Sequence, residues 1–200
     1  MRTLNIMTAG FLLLAAALPA QVRAAGCTWI CPSSTTGNWF TATNWLPAQA
    51  PTNIGDSAII TNGYVLLTNS TAALASFQIT NATLIFSNWN TALNAVAVTV
   101  QNAGILTLPP AFTTNQMSNN IYVACSNFTL EGGGTILADK CGYAWGNGPG
   151  HGADGNGPGG GGYGGKGGIG GAAGGNPYGS TNAPLDPGSG GGINSTSCTN

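Results

Sequence analysis

The chain has 200 residues, of which 4% are charged and 42% hydrophobic, with a formal net charge of −1. Charged residues average about 25% in globular proteins, so this chain carries no electrostatic footprint for nucleic acid and cannot steer a charged partner. Uncharged hydroxyl and amide side chains stand in for the charges, a composition suited to an exported β protein.

The N-terminus reads as a signal peptide over residues 1–24. Arg2 gives a positive start, Phe11 to Ala20 an apolar core broken by Pro19, and Val22-Arg23-Ala24 a small-residue cleavage signal. That core is too short to span a bilayer, so the expected mature chain starts after Ala24 and has no transmembrane span. Two lysines then face five carboxylates, a net of −3. A loose lipoprotein box, Ala24-Ala25-Gly26-Cys27, is the rival reading; it lacks the usual Leu and is separated from the core by Gln21 and Arg23.

Residues 25–56 are expected to form an irregular, Trp-rich N-terminal cap. Trp29, Trp39 and Trp45 fit neither helical nor strand spacing, and large aromatics packed over a sheet end cover an otherwise aggregation-prone edge. The rival reading has Trp39 and Trp45 exposed to stack on sugar rings.

From 57 to 144 a strand–corner–strand unit recurs: Ile60-Thr-Asn62-Gly63-Tyr-Val-Leu66, Ile79-Thr-Asn81-Ala-Thr-Leu-Ile85, Val100-Gln-Asn102-Ala-Gly-Ile-Leu106 and Leu130-Glu-Gly132-Gly-Gly-Thr-Ile136. Asn and Gly tolerate the left-handed backbone of a tight corner. The corners at 62, 81, 102 and 132 are 19, 21 and 30 residues apart, a period that predicts stacked parallel coils with one insertion looped out. The insertion is 109–120 and carries Phe112, a candidate contact residue. Asn62-Gly63 alone is also a hairpin signal.

Between Trp145 and Gly192, 23 of 48 residues are Gly. Few side chains are available for burial, so this segment is expected either to move freely or to be ordered by backbone hydrogen bonds between closely packed, polyproline-II-like segments. Tyr163 and Tyr178 are its candidate contact residues. Residues 193–200 are read as the start of a continuation. In an exported chain cysteines default to disulfides; the local pairings are Cys27 with Cys31 and Cys125 with Cys141, leaving Cys198 over.

Thr28-Trp29, Trp39, Asn44-Trp45, Pro51 and Gly55-Asp56-Ser-Ala-Ile-Ile60 resemble the opening of large exported bacterial β-helix proteins, autotransporter-like or surface-anchored. Gly134-Thr-Ile-Leu-Ala-Asp139, followed by the Gly tract to Gly192, resembles a Gly-rich insertion of such proteins. The resemblance implies an all-β, right-handed parallel β-helix (a β-solenoid) and a surface role. It transfers no catalytic residue, and Cys141 departs from it where Gly is expected.

Catalytic and cofactor chemistry is sparse. Glu131, Asp139, Lys140, His151 and Asp154 form the only dense polar spot and are read as solvated corners rather than an acid–base set. A calcium nonapeptide around Asp154 is incomplete. Gly160 to Lys166 mimics a phosphate loop but lacks its Ser or Thr. No cofactor, metal or catalytic residue is therefore expected. The expected function is that of an exported, secreted or cell-surface, adhesin-type structural protein touching glycans or cell-surface polymers. The alternative is the non-catalytic N-terminal part of a polysaccharide-degrading enzyme.

Overall fold

The computed structural model describes residues 24–113, 119–183 and 185–195. The leader, the centre of the 109–120 insertion and Cys198 lie outside the described residues. Eleven strands are described: β1 (Gly26–Trp29), β2 (Thr36–Asn38), β3 (Trp45–Leu46), β4 (Ser57–Ile60), β5 (Tyr64–Leu67), β6 (Leu74–Thr80), β7 (Thr83–Phe86), β8 (Ala92–Gln101), β9 (Ile105–Thr107), β10 (Tyr122–Leu130) and β11 (Thr135–Leu137). One 3-10 turn, Ala42–Asn44, is the only helical element among the described residues.

The strands make a six-stranded sheet, β10-β8-β6-β4-β1-β3, and a five-stranded sheet, β11-β9-β7-β5-β2. Every pairing is parallel except β1 with β3, which is antiparallel. This corrects the expectation of a right-handed parallel β-helix behind an irregular cap. The described chain forms two mostly parallel sheets, one with an antiparallel edge strand, and the Trp-rich stretch supplies β1, β2 and β3 to them. Corner spacing reports only that successive units lie in parallel register. It does not specify how the chain closes a turn, and strands of two to four residues are too short to show a period.

Register explains the core. In the larger sheet Cys27, Ala58, Phe77, Val98 and Phe128 form one row. In the smaller sheet Gly37, Val65, Leu84, Leu106 and Ile136 form another. Most members of both rows belong to a single buried cluster. Side chains alternate faces along a strand, so Val65, Leu84 and Leu106 fall on the inner face while the neighbouring row Leu66, Ile85 and Thr107 falls on the other.

The corners stack as well. The Asn81 N–H donates to Asn102 O (2.9 Å) and the Ala103 N–H to Gly133 O (2.8 Å). Asn81 and Asn102 hold φ of 47° and 45° and Gly133 holds 83°, the left-handed region that Asn and Gly enter at least cost.

One end of the stack is closed and the other open. At the closed end Trp29 and Trp39 both meet Trp45 edge-on, at 5.1 and 4.9 Å between ring centroids, and the Trp45 indole N–H donates to Trp39 O (2.6 Å). Gly37 makes room for this: a Cβ there would come within 2.8 Å of the Trp29 ring. At the open end the inward positions of β10 and β11 are uncovered, with Phe128, Leu130 and Ile136 40%, 50% and 46% exposed.

The Gly-rich segment is ordered without strands. Its central run, Gly159 to Gly162, is bonded to four neighbouring runs. The Gly162 N–H donates to Gly150 O, Gly160 N–H to Gly168 O, Gly175 N–H to Gly160 O and Gly192 N–H to Gly159 O, all at 2.7–2.9 Å. A strand in a sheet has two hydrogen-bonded neighbours; four neighbours make a bundle. Backbones approach so closely that a Cβ on Gly159, Gly167, Gly174, Gly175 or Gly190 would overlap a facing carbonyl.

Candidate functional site

The sheet stack and the Gly bundle meet at a junction built on the turn after β11. The Phe112 N–H donates to Gly142 O (3.2 Å), the Ala144 N–H to Phe112 O (2.9 Å) and the Tyr143 N–H to Gly188 O (3.0 Å). The Phe112 and Tyr143 rings lie 4.5 Å apart. Asn119, buried at the foot of the insertion, donates its side-chain amide to Pro109 O, Pro110 O and Cys141 O at 3.0, 3.0 and 2.8 Å. One amide thus fastens the insertion to the last corner.

Two clefts flank the junction. The first, about 650 Å³, lies between the open end of the stack and residues 185–188, with Trp89, Tyr122, Phe128, Ile136 and Leu185 among its walls. The second, about 870 Å³, is lined by Lys140, Tyr143, Trp145 and Ile193 together with backbone of Gly188 to Gly191. Trp145 is 79% exposed.

The sequence-derived contact residues fall in three places. Trp39 and Trp45 are fully buried at 0% exposure and belong to the closed end, which withdraws them from contact with any ligand. Phe112 packs on Tyr143 and shapes the junction from behind. Tyr163 and Tyr178 meet edge-on at 5.0 Å and hold the wall of the first cleft: the Tyr178 hydroxyl donates to Pro187 O and the Asp186 N–H to Tyr163 Oη. They position a loop. Trp145, Asn119 and Leu185 complete the junction and carry no local sequence signal, because a single aromatic or amide in a Gly- or Asn-rich run has no period.

Burial raises the Tyr178 phenol above the ordinary tyrosine range, with Ser189 pulling the other way. An acid whose folded pKa is raised stabilises the fold fully below its unfolded value, near 10, and loses that contribution as pH rises through the folded value. Hydrogen exchange in residues 178–187 is therefore expected to accelerate in strongly alkaline buffer, as Tyr178 ionises and stops donating to Pro187. In Tyr178→Phe the loop is expected to be looser at neutral pH and to lack that alkaline step.

The four described cysteines are free thiols; Cys27 and Cys31 are buried, Cys125 is exposed and Cys141 half-buried. Burial, then the Asp56 charge, raises the Cys27 thiol, and burial, then Asp139, raises that of Cys141, which keeps both protonated and unreactive near neutrality. Asp154 accepts the Ile193 N–H at 2.7 Å and the His151 ring bonds Gly148 O at 2.9 Å, so each has a local structural partner. Among the described residues no group of three or more His, Cys, Asp or Glu is placed to hold a metal ion, and no helix is long and apolar enough to cross a membrane.

No protein-family model, no curated protein and no solved structure matches this chain.

Proposed function

We propose that this chain is an exported, non-enzymatic surface protein of the adhesin type, in which the sheet stack is a scaffold and the junction with the Gly bundle presents the contact side chains to uncharged polymers such as glycans. The observation that carries the reading is Trp145. It stands 79% exposed on the second cleft, next to Gly146, whose hydrogen bond to Gly191 (2.7 Å) pins the local backbone. An indole on a held backbone stacks on a sugar ring at small entropic cost, and Lys140 and Tyr143 beside it offer donors to ring hydroxyls. The sparse charge and the apolar leader of the sequence support export and a contact made by stacking and hydrogen bonding.

Binding of the purified chain to a panel of immobilised neutral glycans tests this. Trp145→Ala is expected to weaken binding at least tenfold, a step of about 1.4 kcal/mol, with the far-UV spectrum unchanged. Equal binding by wild type and Trp145→Ala overturns the assignment. Turnover of a polysaccharide that Glu131→Ala, Asp139→Ala or Lys140→Ala abolishes without unfolding overturns the non-enzymatic reading.

A further inference from the structure

We infer that the open end of the stack is an interface for a second copy of this chain, joined by antiparallel pairing of β10 with its own counterpart across a two-fold axis. β10 is nine residues of sheet edge bonded to β8 on one side only. Its register sets Val123, Cys125, Phe128 and Leu130 over Leu93, Ala95, Val98 and Val100, all four of which are buried. The β10 residues are therefore the inward positions of a layer that no further strand covers among the described residues, residues 185–188 facing part of it only across the first cleft.

Face and edge are coupled in a strand: alternate residues turn the side chain to one face and the backbone groups to one edge. Glu131 donates its N–H to Val100 O of β8 at 2.9 Å, so the inward residues before it, Leu130 and Phe128, turn theirs to the free edge. Ser126 has no register partner on β8, so the alternation shifts by one residue there; Val123 and Cys125, inward on the same strand and in the same direction, turn theirs to the free edge as well.

The four inward positions are symmetric about the Ser126–Asn127 peptide. A second copy laid antiparallel sets Val123 against Leu130 and Cys125 against Phe128, twice over. Inward side chains meet inward ones, and free backbone groups meet free ones. β10 contains no charge, and the first one beyond it, Glu131, falls opposite Tyr122, so no like charges face each other. A two-fold contact of this kind closes on itself, so the product is a dimer. Trp145 is not among the pairing residues, and the inference does not rest on glycan binding.

Sedimentation of the full chain over a concentration series is expected to show a dimer, with hydrogen exchange at residues 122–130 slowing as the dimer fills. Opposed residues of this pair type stand ~5.5 Å apart between Cα atoms, within disulfide reach. Phe128→Cys is therefore expected to give a covalent dimer through Cys125 of the second copy on a non-reducing gel, and adding Cys125→Ser is expected to abolish it. Phe128→Lys with Leu130→Lys, at positions already half-exposed, is expected to leave a folded monomer. A monomer throughout overturns the inference, including one whose β10 amides are protected, since that assigns the edge to a different segment or protein. So does a dimer that leaves exchange at 122–130 unchanged, or in which Phe128→Cys fails to cross-link.

Discussion

Gly175→Ala is expected to unfold the Gly bundle while leaving the sheets intact. A Cβ at residue 175 would overlap the carbonyl of Gly150 and crowd that of His151. Both obstacles are backbone, so no rotamer change can relieve them. Gly175 also donates to Gly160 O and accepts from the Gly167 N–H, both at 2.9 Å, so a displacement there breaks contacts with two other runs. Overpacking a well-packed interior costs about 1–3 kcal/mol where side chains can shift; with rigid carbonyls on every side the cost exceeds that range, and few buried side chains are available to offset it. Hydrogen exchange is the measurement. Amides of 150–176 are expected to lose protection while those of β6 and β8 keep theirs. Gly165→Ala is the control, since nothing lies within 4 Å of a Cβ there. Retained protection at 150–176 in Gly175→Ala would contradict the bundle.

Asp56→Ala is expected to destabilise the closed end by about 2–4 kcal/mol, from hydrogen bonds to a charged acceptor at about 1.5–3 kcal/mol each. Asp56 is fully buried. Its carboxylate accepts the Ala25 N–H at 2.8 Å and, on the other oxygen, the Asn53 N–H and side-chain amide at 2.9 and 3.3 Å. It joins the start of β1 to the turn before β4, two strands that are paired in parallel and that no local turn holds together. Alanine strands two backbone donors in a site water does not reach. Asp56→Asn keeps one acceptor oxygen, so chemical denaturation is expected to rank wild type above Asn and Asn above Ala. A loss below about 0.5 kcal/mol for Asp56→Ala, the scale of a surface substitution, would show that the carboxylate does not tie these strands.

The legible part of the sequence is the part with local physics. Asn81, Asn102 and Gly133 announce corners because a tight reversal needs a left-handed residue, and the alternation flanking them places Ile79, Leu84, Val100 and Leu106 in the core. Those same corners suggest stacked parallel coils and the resemblance implies a right-handed parallel β-helix, which the two mostly parallel sheets correct. The Trp-rich region is opaque because its order is non-local: β2 can pass beside β1 only because Gly37 leaves space for the Trp29 ring, a pairing across strands. Thus Trp39 and Trp45, plausible as exposed stacking residues, are core. In β10 polar Ser126-Asn127 interrupts the apolar positions, and it is pairing with β8 on both sides of Ser126 that makes the stretch one strand. At the junction, Asn119 and Leu185 matter through the chain segments they bring together, and nothing in their own neighbourhoods marks them.

The two halves of the molecule are also built on different thermodynamics. The sheet core buries Phe77, Phe86, Leu84 and Leu106, so its unfolding exposes hydrocarbon and carries the large positive heat-capacity change that bends a stability curve at both ends. The Gly bundle buries peptide groups and almost no hydrocarbon, and exposure of polar surface lowers heat capacity. Its stability therefore follows a nearly straight line with temperature, enthalpic throughout and still strengthening in the cold, where apolar cohesion fades. A protein so divided keeps its Trp145-bearing half most rigid when its environment is coldest.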